Sequence, residues 1–329
     1  MPVLTRPMLP LHVELPPRQA TLAGETEVLV VGGGPAGFGA AMGAAQAGAR
    51  VVLAEKYGFF GGHATAALVT ILMSYYNEIE PPPKPAEITL LPPDHGGGEP
   101  IAAGVLARFV ERLVEAGGAL APSAATGYTV PFDPEVFKLV MLDMLDEAGV
   151  EYLLHSFASG VVGSPRVEGV VFEGKSGPLV ITARAVVDCT GDGTRRILGG
   201  YTLTAEYVLE ARKFDDVVAR CCYPMDIHNP AGTGTVLKRL PPGEAFDIPL
   251  RALLPRDVEN LIVAGRCISG SHEALSSYRV MPTSMATGHA AGVCAALAAR
   301  SRTSPARVET REVQRELLRQ GANLRGIVV

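Results

Sequence analysis

The chain has 329 residues, of which 47% are hydrophobic and only 19% charged, with a formal charge of −5 and a pI near 5.9. That balance describes a buried globular core of one large domain or two ordinary ones and excludes a disordered chain. The basic residues are scattered and no aromatic–basic stacking platform occurs, so nothing in the charge pattern points to nucleic acid.

Residues 1–27 read as an extended, proline-punctuated arm. Met1 to Ala20 carries prolines and charges where a secretory signal would need an apolar core. The apolar run Val28 to Val31 suits a parallel strand buried on both faces. Gly32-x-Gly34-x-x-Gly37 follows and opens a small-residue helix reaching about Ala47. Gly48 stops it, and Arg50 to Ala54 returns as a second buried strand ending on Glu55. In such a unit the first glycine makes the tight turn, the second admits a pyrophosphate to the backbone, and the third lets helix and strand close up. The helix N-terminus then holds the phosphates. Glu55, 23 residues after Gly32, stands where an acid accepts hydrogen bonds from an adenosine ribose.

Gly61-Gly62-His63 suggests another close backbone approach to a ligand, with a helix starting behind it. Residues 77–100, rich in proline and glycine, read as a surface excursion or flap. Helices are expected over about 104–116 and from Asp133, an N-cap followed by Pro134, to Gly149. Strands follow at 150–154, 167–173 and 179–182, the last two as a small meander, and a buried strand at 185–188 leads into Cys189-Thr190-Gly191-Asp192-Gly193. Residues 194–255 mix short elements with turns at Asn229-Pro230, Gly232 to Gly234 and Pro241-Pro242-Gly243. The strand Leu261 to Ala264 leads to Gly265-Arg266. A loop carrying His272, Glu273 and Arg279 then reaches a helix opened by Pro282 and ending near Arg300, with a charged helix over 309–320.

No apolar run reaches the roughly 18 residues of a membrane helix. Five cysteines without metal-ligand spacing suggest reduced thiols in a cytoplasm, and no metal site is expected. Cys221-Cys222 is read either as a redox-active vicinal pair or as two incidental small residues at a strand start, and neighbouring cysteines form strained disulfides. No Ser-His-Asp order or Cys-x-x-Cys pair stands out.

The nucleotide motif at 28–55, Gly61-Gly62, Asp188-Cys189-Thr190-Gly191-Asp192-Gly193, Asn260 to Arg266, Arg279-Val280-Met281-Pro282 and Gly288-His289-Ala290-Ala291-Gly292 stand in a fixed order. Together they resemble the FAD-dependent oxidoreductase family of two-dinucleotide-binding-domain flavoproteins. The resemblance implies an α/β fold: a Rossmann-like FAD-binding domain of glutathione-reductase type, with a parallel central sheet and β-meander, plus a small reduced cap. The FAD-binding parts would be 1–76, 131–193 and 256–329. The stretch 77–130 would be an insertion and a helix of the substrate side, and 194–255 the reduced cap. Gly193 runs directly into Thr194-Arg195-Arg196-Ile197, where members of the family carry a long substrate-domain segment.

By the same resemblance FAD is the cofactor, bound non-covalently. Gly32, Gly34, Pro35, Ala36 and Gly37 would hold its pyrophosphate, Glu55 and Lys56 its ribose region, and Gly62 and His63 its ribityl side. Ala158 would meet adenine, Gly191 and Asp192 would pass under the cofactor, and Gly265 and Arg266 would contact pyrophosphate or ribityl oxygens. Val280 and Met281 would present backbone N–H groups to the flavin edge. His272, Glu273 and Arg279 are the candidate catalytic residues, Arg279 as a two-pronged binder of a carboxylate or of flavin O2. His63, Tyr278 and an Asp226–His228 pair are further candidates. The expected activity is oxidation or reduction of a small organic substrate, with an electron acceptor not identified by the sequence and a homo-oligomer left open. The alternatives are an FAD-binding subunit or scaffold with little turnover of its own, or an NAD-binding protein.

Overall fold

The computed structural model describes residues 17–77, 97–101, 103–193, 197–228 and 234–327. The proline-rich stretch of 78–96, the Thr194-Arg195-Arg196 run and the Asn229-Pro230 turn lie outside them.

In chain order the elements are β1 (Thr21–Val31), α1 (Pro35–Gln46), β2 (Val51–Ala54), β3 (Ile71–Leu72), α2 (Val105–Glu115), β4 (Val130–Pro131), α3 (Pro134–Glu147), β5 (Glu151–Leu153), β6 (Phe157–Val162), β7 (Gly169–Gly174) and β8 (Gly177–Asp188). Then come α4 (Ala205–Leu209), β9 (Val217–Cys221), β10 (Met225–His228), β11 (Thr235–Lys238), β12 (Phe246–Pro249), β13 (Leu261–Val263), α5 (His272–Tyr278), α6 (Met281–Ser301) and α7 (Thr310–Arg319). The central sheet runs β5-β2-β1-β8, all parallel, with β13 parallel to the end of β8. The antiparallel strands β7 and β6 hang from the first half of β8. This is the mixed α/β fold with a parallel-dominated sheet that the apolar runs predict.

Three expectations change in detail. The meander strand at 179–182 and the buried strand at 185–188 are one strand, β8, because its first half pairs with β7 while its whole length pairs with β1. For the same reason β1 begins at Thr21, so the end of the presumed arm is strand. Behind Gly61-Gly62 there is only a three-residue 3-10 turn, Gly62–Ala64, not a helix.

Both faces of β1 are covered, which is why its apolar run is unbroken. Val28 and Val30 belong to the main core beneath the helices; Leu29 and Val31 face a second core formed with Val170, Phe172 and Ile181 of the meander. The helix α2, assigned from sequence to the substrate side, packs instead against α1, α3 and α6. Phe38, Phe109 and Phe137 meet there, with ring centroids 5.1 and 4.6 Å apart. Asp133 caps α3 as expected, accepting from Glu135 and Val136 N–H.

The helices α1 and α6 cross at backbone contact. A Cβ at Gly288 or Gly292 would lie 1.9 or 2.0 Å from the carbonyl oxygens of Ala36 and Ala40. His289, between those two glycines, is buried and bonds Gln320 (Nε2 to Oε1, 2.7 Å). Burial pushes its pKa down to about 4 from 6.5. With the folded pKa below the unfolded one, the unfolded chain binds more protons between pH 6.5 and 4, so stability falls as pH drops through that window. The expected loss is on the order of 3 kcal/mol, from about 1.4 per unit. Urea unfolding at pH 7 and pH 4.5 checks it against His289→Gln, whose difference between the two pH values is expected to be smaller.

Candidate functional site

Where β1 ends, Gly32 turns with φ +98°, and a Cβ there would sit 2.8 Å from the Cys189 carbonyl. Gly37 packs so close that its Cβ would lie 1.7 Å from Gly32 O. Gly34 differs. Its φ is −76°, and a Cβ would meet nothing nearer than Gly62 Cα at 3.7 Å. The protein itself therefore has room for a side chain at Gly34, and the space in front of it is open to a ligand.

That space belongs to a cleft crossing the C-terminal ends of the parallel strands, the usual ligand site of an open α/β sheet. At the β5–β2 side it is lined by Ala54, Glu55, Lys56, Tyr57 and Ser156 to Ala158. In the middle stand Gly32, Gly34, Pro35 and Ala36 at the N-terminus of α1, facing Gly62 and His63. At the β8–β13 side stand Cys189 to Asp192, Gly265, Arg266 and Ser284. Glu55 is buried and accepts from Gly33 N–H (2.6 Å) and Tyr57 N–H (2.9 Å), one on each oxygen. Asp188 holds the turn after β8 by accepting from Thr190 N–H and Oγ1; burial nonetheless pushes its pKa up.

Arg266 lies over Gly191, where a Cβ would meet Nη2 at 2.2 Å, and its Nη1 donates to His63 Nδ1 (3.0 Å). Arginine is only a donor, so His63 is neutral with its proton on Nε2. Its pKa is lowered by burial first, then by the charges of Arg266 and Arg279. Arg279 does not line the cleft; its Nη2 makes a loose ion pair with Asp226 Oδ2 (3.6 Å). Asp226 also accepts from Tyr223 OH (3.1 Å).

Of the residues expected to hold the cofactor, Gly32, Gly34, Pro35, Ala36, Glu55, Lys56, Gly62, His63, Ala158, Gly191, Asp192, Gly265 and Arg266 line this cleft. Gly37, Val280 and Met281 do not. Gly37 is taken up by packing, and on α6 it is Ser284, a turn further on, that reaches the cleft. The expected catalytic loop is a helix, α5, whose first turn holds His272 and Glu273; both are exposed and neither is among the residues lining this cleft. Ser271 caps it by accepting from Ala274 N–H. Glu273 is held below the usual carboxylate range by its own backbone N–H and the Ser271 hydroxyl, which is a capping geometry. Tyr278 is buried and donates to Ile268 O. Cys221 and Cys222 are both buried free thiols set apart, Cys221 against Ser277 and Cys222 against the Ser74 and Tyr76 carbonyls. Tyr57, Ser156, Phe157 and Ser284 line the cleft without a motif to announce them; position beside a motif residue is the only signal they carry.

A glycine-rich turn at the N-terminus of a buried helix, a buried acid at the end of the next strand and a cleft across the parallel sheet define a dinucleotide-binding α/β protein. The model of the family described as FAD dependent oxidoreductase matches residues 27–194 and 193–317, and the chain belongs to that family. The two matched stretches meet where Gly193 runs into Thr194. FAD is its cofactor, and the open space in front of Gly34 is compatible with a pyrophosphate. No curated protein matches the chain. Among solved structures it is similar to the THI4 protein of Thermovibrio ammonificans, at 19% identity over 89% of this chain and 90% of that one, TM-score 0.41. It is also similar to a geranylgeranyl bacteriochlorophyll reductase-like protein of Thermoplasma acidophilum, at 15% over 89% and 82%, TM-score 0.47. A 3-ketosteroid-delta4-(5alpha)-dehydrogenase of Rhodococcus jostii matches at 14% over 84% and 97%, TM-score 0.41. Among the described residues no helix is long and apolar enough to cross a membrane.

Proposed function

We propose that this FAD-dependent oxidoreductase moves a hydride or an electron pair between a small organic substrate and non-covalently held FAD, with a separate acceptor completing the cycle. The observation that carries the reading is the Arg266–His63 pair at the β8–β13 end of the cleft, whose imidazole also feels the Arg279 charge. Bound FAD supplies the redox chemistry. The chain's own groups bind, orient and exclude water. Gly32 and Gly34 bring the pyrophosphate to the N-terminus of α1, Glu55 binds the adenosine ribose, and Ala158 offers its backbone to adenine. Arg266 binds pyrophosphate or ribityl oxygens, and the flavin would have to reach past Ser284 and beyond the cleft lining to meet the N-terminus of α6 at Val280 and Met281, whose dipole would favour negative charge.

On the substrate side His63 offers Nε2–H as a donor. Arg279, only loosely engaged by Asp226, orients the substrate or the reduced flavin. Residues 194–255 act as a small cap, and buried free thiols support a cytoplasmic setting. The test is an anaerobic screen of the FAD-loaded protein against candidate donors, following flavin absorbance. Failure of every donor class to reduce a fully loaded protein would sink the reading.

Glu55 gives a quantitative check. Its two oxygens each receive one backbone N–H and keep lone pairs for the ribose. Glu55→Ala is expected to weaken FAD by about 1.5–3 kcal/mol, the range for hydrogen bonds to a charged group. Titration of the apoprotein reads this directly, and unchanged affinity would remove Glu55 from the site.

A further inference from the structure

A second recess lies at the other end of the sheet from the FAD cleft. It measures about 460 Å³ and is bounded by Pro165–Arg166 before β7, residues 255–259 before β13, and residues 302–307 after α6. The FAD cleft sits at the opposite ends of β13 and α6, so one strand and one helix run between the two. None of the redox chemistry uses this recess.

Its lining gathers Arg166, Arg256, Arg302 and Arg307 from three separate stretches of chain. Elsewhere the protein neutralises arginines: Arg18 pairs with Glu173, Arg112 with Glu147, Arg184 with Glu27, and Arg251 with Asp216. At the recess it does not. Among the described residues none of the four guanidiniums has a carboxylate within 4.0 Å, although Asp257 and Glu259 stand on the same rim. Four positive charges thus face two negative ones in a chain whose formal charge is −5.

Two of the forks are held in place. Arg166 Nη2 donates to Arg184 O (3.2 Å) and Arg256 Nε to Gly199 O (2.9 Å), each leaving its other N–H groups free. The side chains of Arg302 and Arg307 make no hydrogen bond or ion pair among the described residues, their backbone N–H groups donating to Ala299 O and Ser304 O. Arg302 closes α6 with φ 51°, a position that favours glycine or asparagine. A cation at a helix C-terminus is favourable in its own right, but that accounts for one arginine of the four.

We propose that this recess binds a small molecule through a di- or triphosphate group. Planar guanidinium forks match phosphoryl oxygens two at a time, and several converging forks suit a chain of phosphates better than one carboxylate. The volume falls in the range of small-molecule sites, about 300–1,000 Å³. Asp257 and Glu259 are placed to accept hydroxyl hydrogens from the rest of the ligand. Inorganic polyphosphate and a nucleotide share this chemistry.

The experiment is calorimetry on protein saturated with FAD, so that no nucleotide can enter the FAD cleft. Tripolyphosphate, ATP and citrate are titrated at low ionic strength into wild type and into Arg302→Gly/Arg307→Gln. Glycine suits the φ at 302, and unchanged flavin absorbance and Tm certify the fold. Tripolyphosphate and ATP are expected to bind one site and to weaken at least about tenfold in the double variant, the size of a lost charge-assisted contact. Tighter binding of ATP than of tripolyphosphate identifies a nucleotide, and the reverse identifies inorganic polyphosphate. Absence of binding, equal binding by the double variant, or citrate binding as tightly as tripolyphosphate would overturn the proposal.

Discussion

Gly34→Val is expected to fold normally and purify without its yellow cofactor. The backbone at Gly34 has φ −76° and ψ −171°, extended values open to any residue, and a Cβ there meets only Gly62 Cα at 3.7 Å. Nothing in the protein opposes the side chain. A pyrophosphate drawn to the N–H groups of α1 would meet it directly, and overpacking alone costs about 1–3 kcal/mol. Loss of backbone contacts adds to that, so FAD is expected to weaken by at least about a hundredfold, or roughly 2.8 kcal/mol. Gly37→Ala is the matched control with the opposite signature. Its Cβ would strike Gly32 O at 1.7 Å, so the apoprotein itself should lose stability. Cofactor absorbance and the Tm of the apoproteins separate the two. A Gly34→Val protein that retains full FAD would place the pyrophosphate elsewhere.

The same pair of glycines explains how much could be read from the sequence. Gly32, Gly34 and Gly37 stand in a pattern where each missing side chain has a distinct cause, and local spacing alone carries that information. Helices with one periodic face or a clear cap were equally legible: Asp133-Pro134 marks the start of α3, and Gly48, with φ +87°, follows the end of α1. What local spacing does not carry is the partner. The continuation of β8 from the meander into the parallel sheet depends on β1 pairing along its whole length, a long-range contact. Likewise the seven residues of α5 are too short and too polar at one end to announce a helix, and Ser271 caps it only once the chain has turned. His272 and Glu273 therefore stand on the first turn of a helix and not on a loop. The structure instead brings His63 and Arg266 together from positions 203 residues apart, which no single-sequence motif encodes.

The Arg266–His63 pair in the cleft gives a kinetic test. His63 is kept neutral by burial and by two cations, and removing one of them raises its pKa toward 6.5. In wild type the rate of flavin reduction is therefore expected to hold down to a pH below 6.5, where protonation of His63 would break its bond from Arg266. Arg279→Ala is expected to do two things at once. It slows reduction by about a hundredfold at pH 7, the scale of losing a charged group that orients the reacting partner. It also shifts the acid limb of the profile upward, because the remaining Arg266 charge lowers His63 less than both together. FAD occupancy is expected to stay near full, since Arg279 does not line the cleft. His272→Ala is expected to leave both rate and profile alone. Stopped-flow reduction across pH 5–8 of wild type, Arg279→Ala and His272→Ala distinguishes the cases. A slowed Arg279→Ala enzyme with an unmoved acid limb would mean that His63 is not the group titrating, and a profile that responds to His272→Ala would return the chemistry to the start of α5.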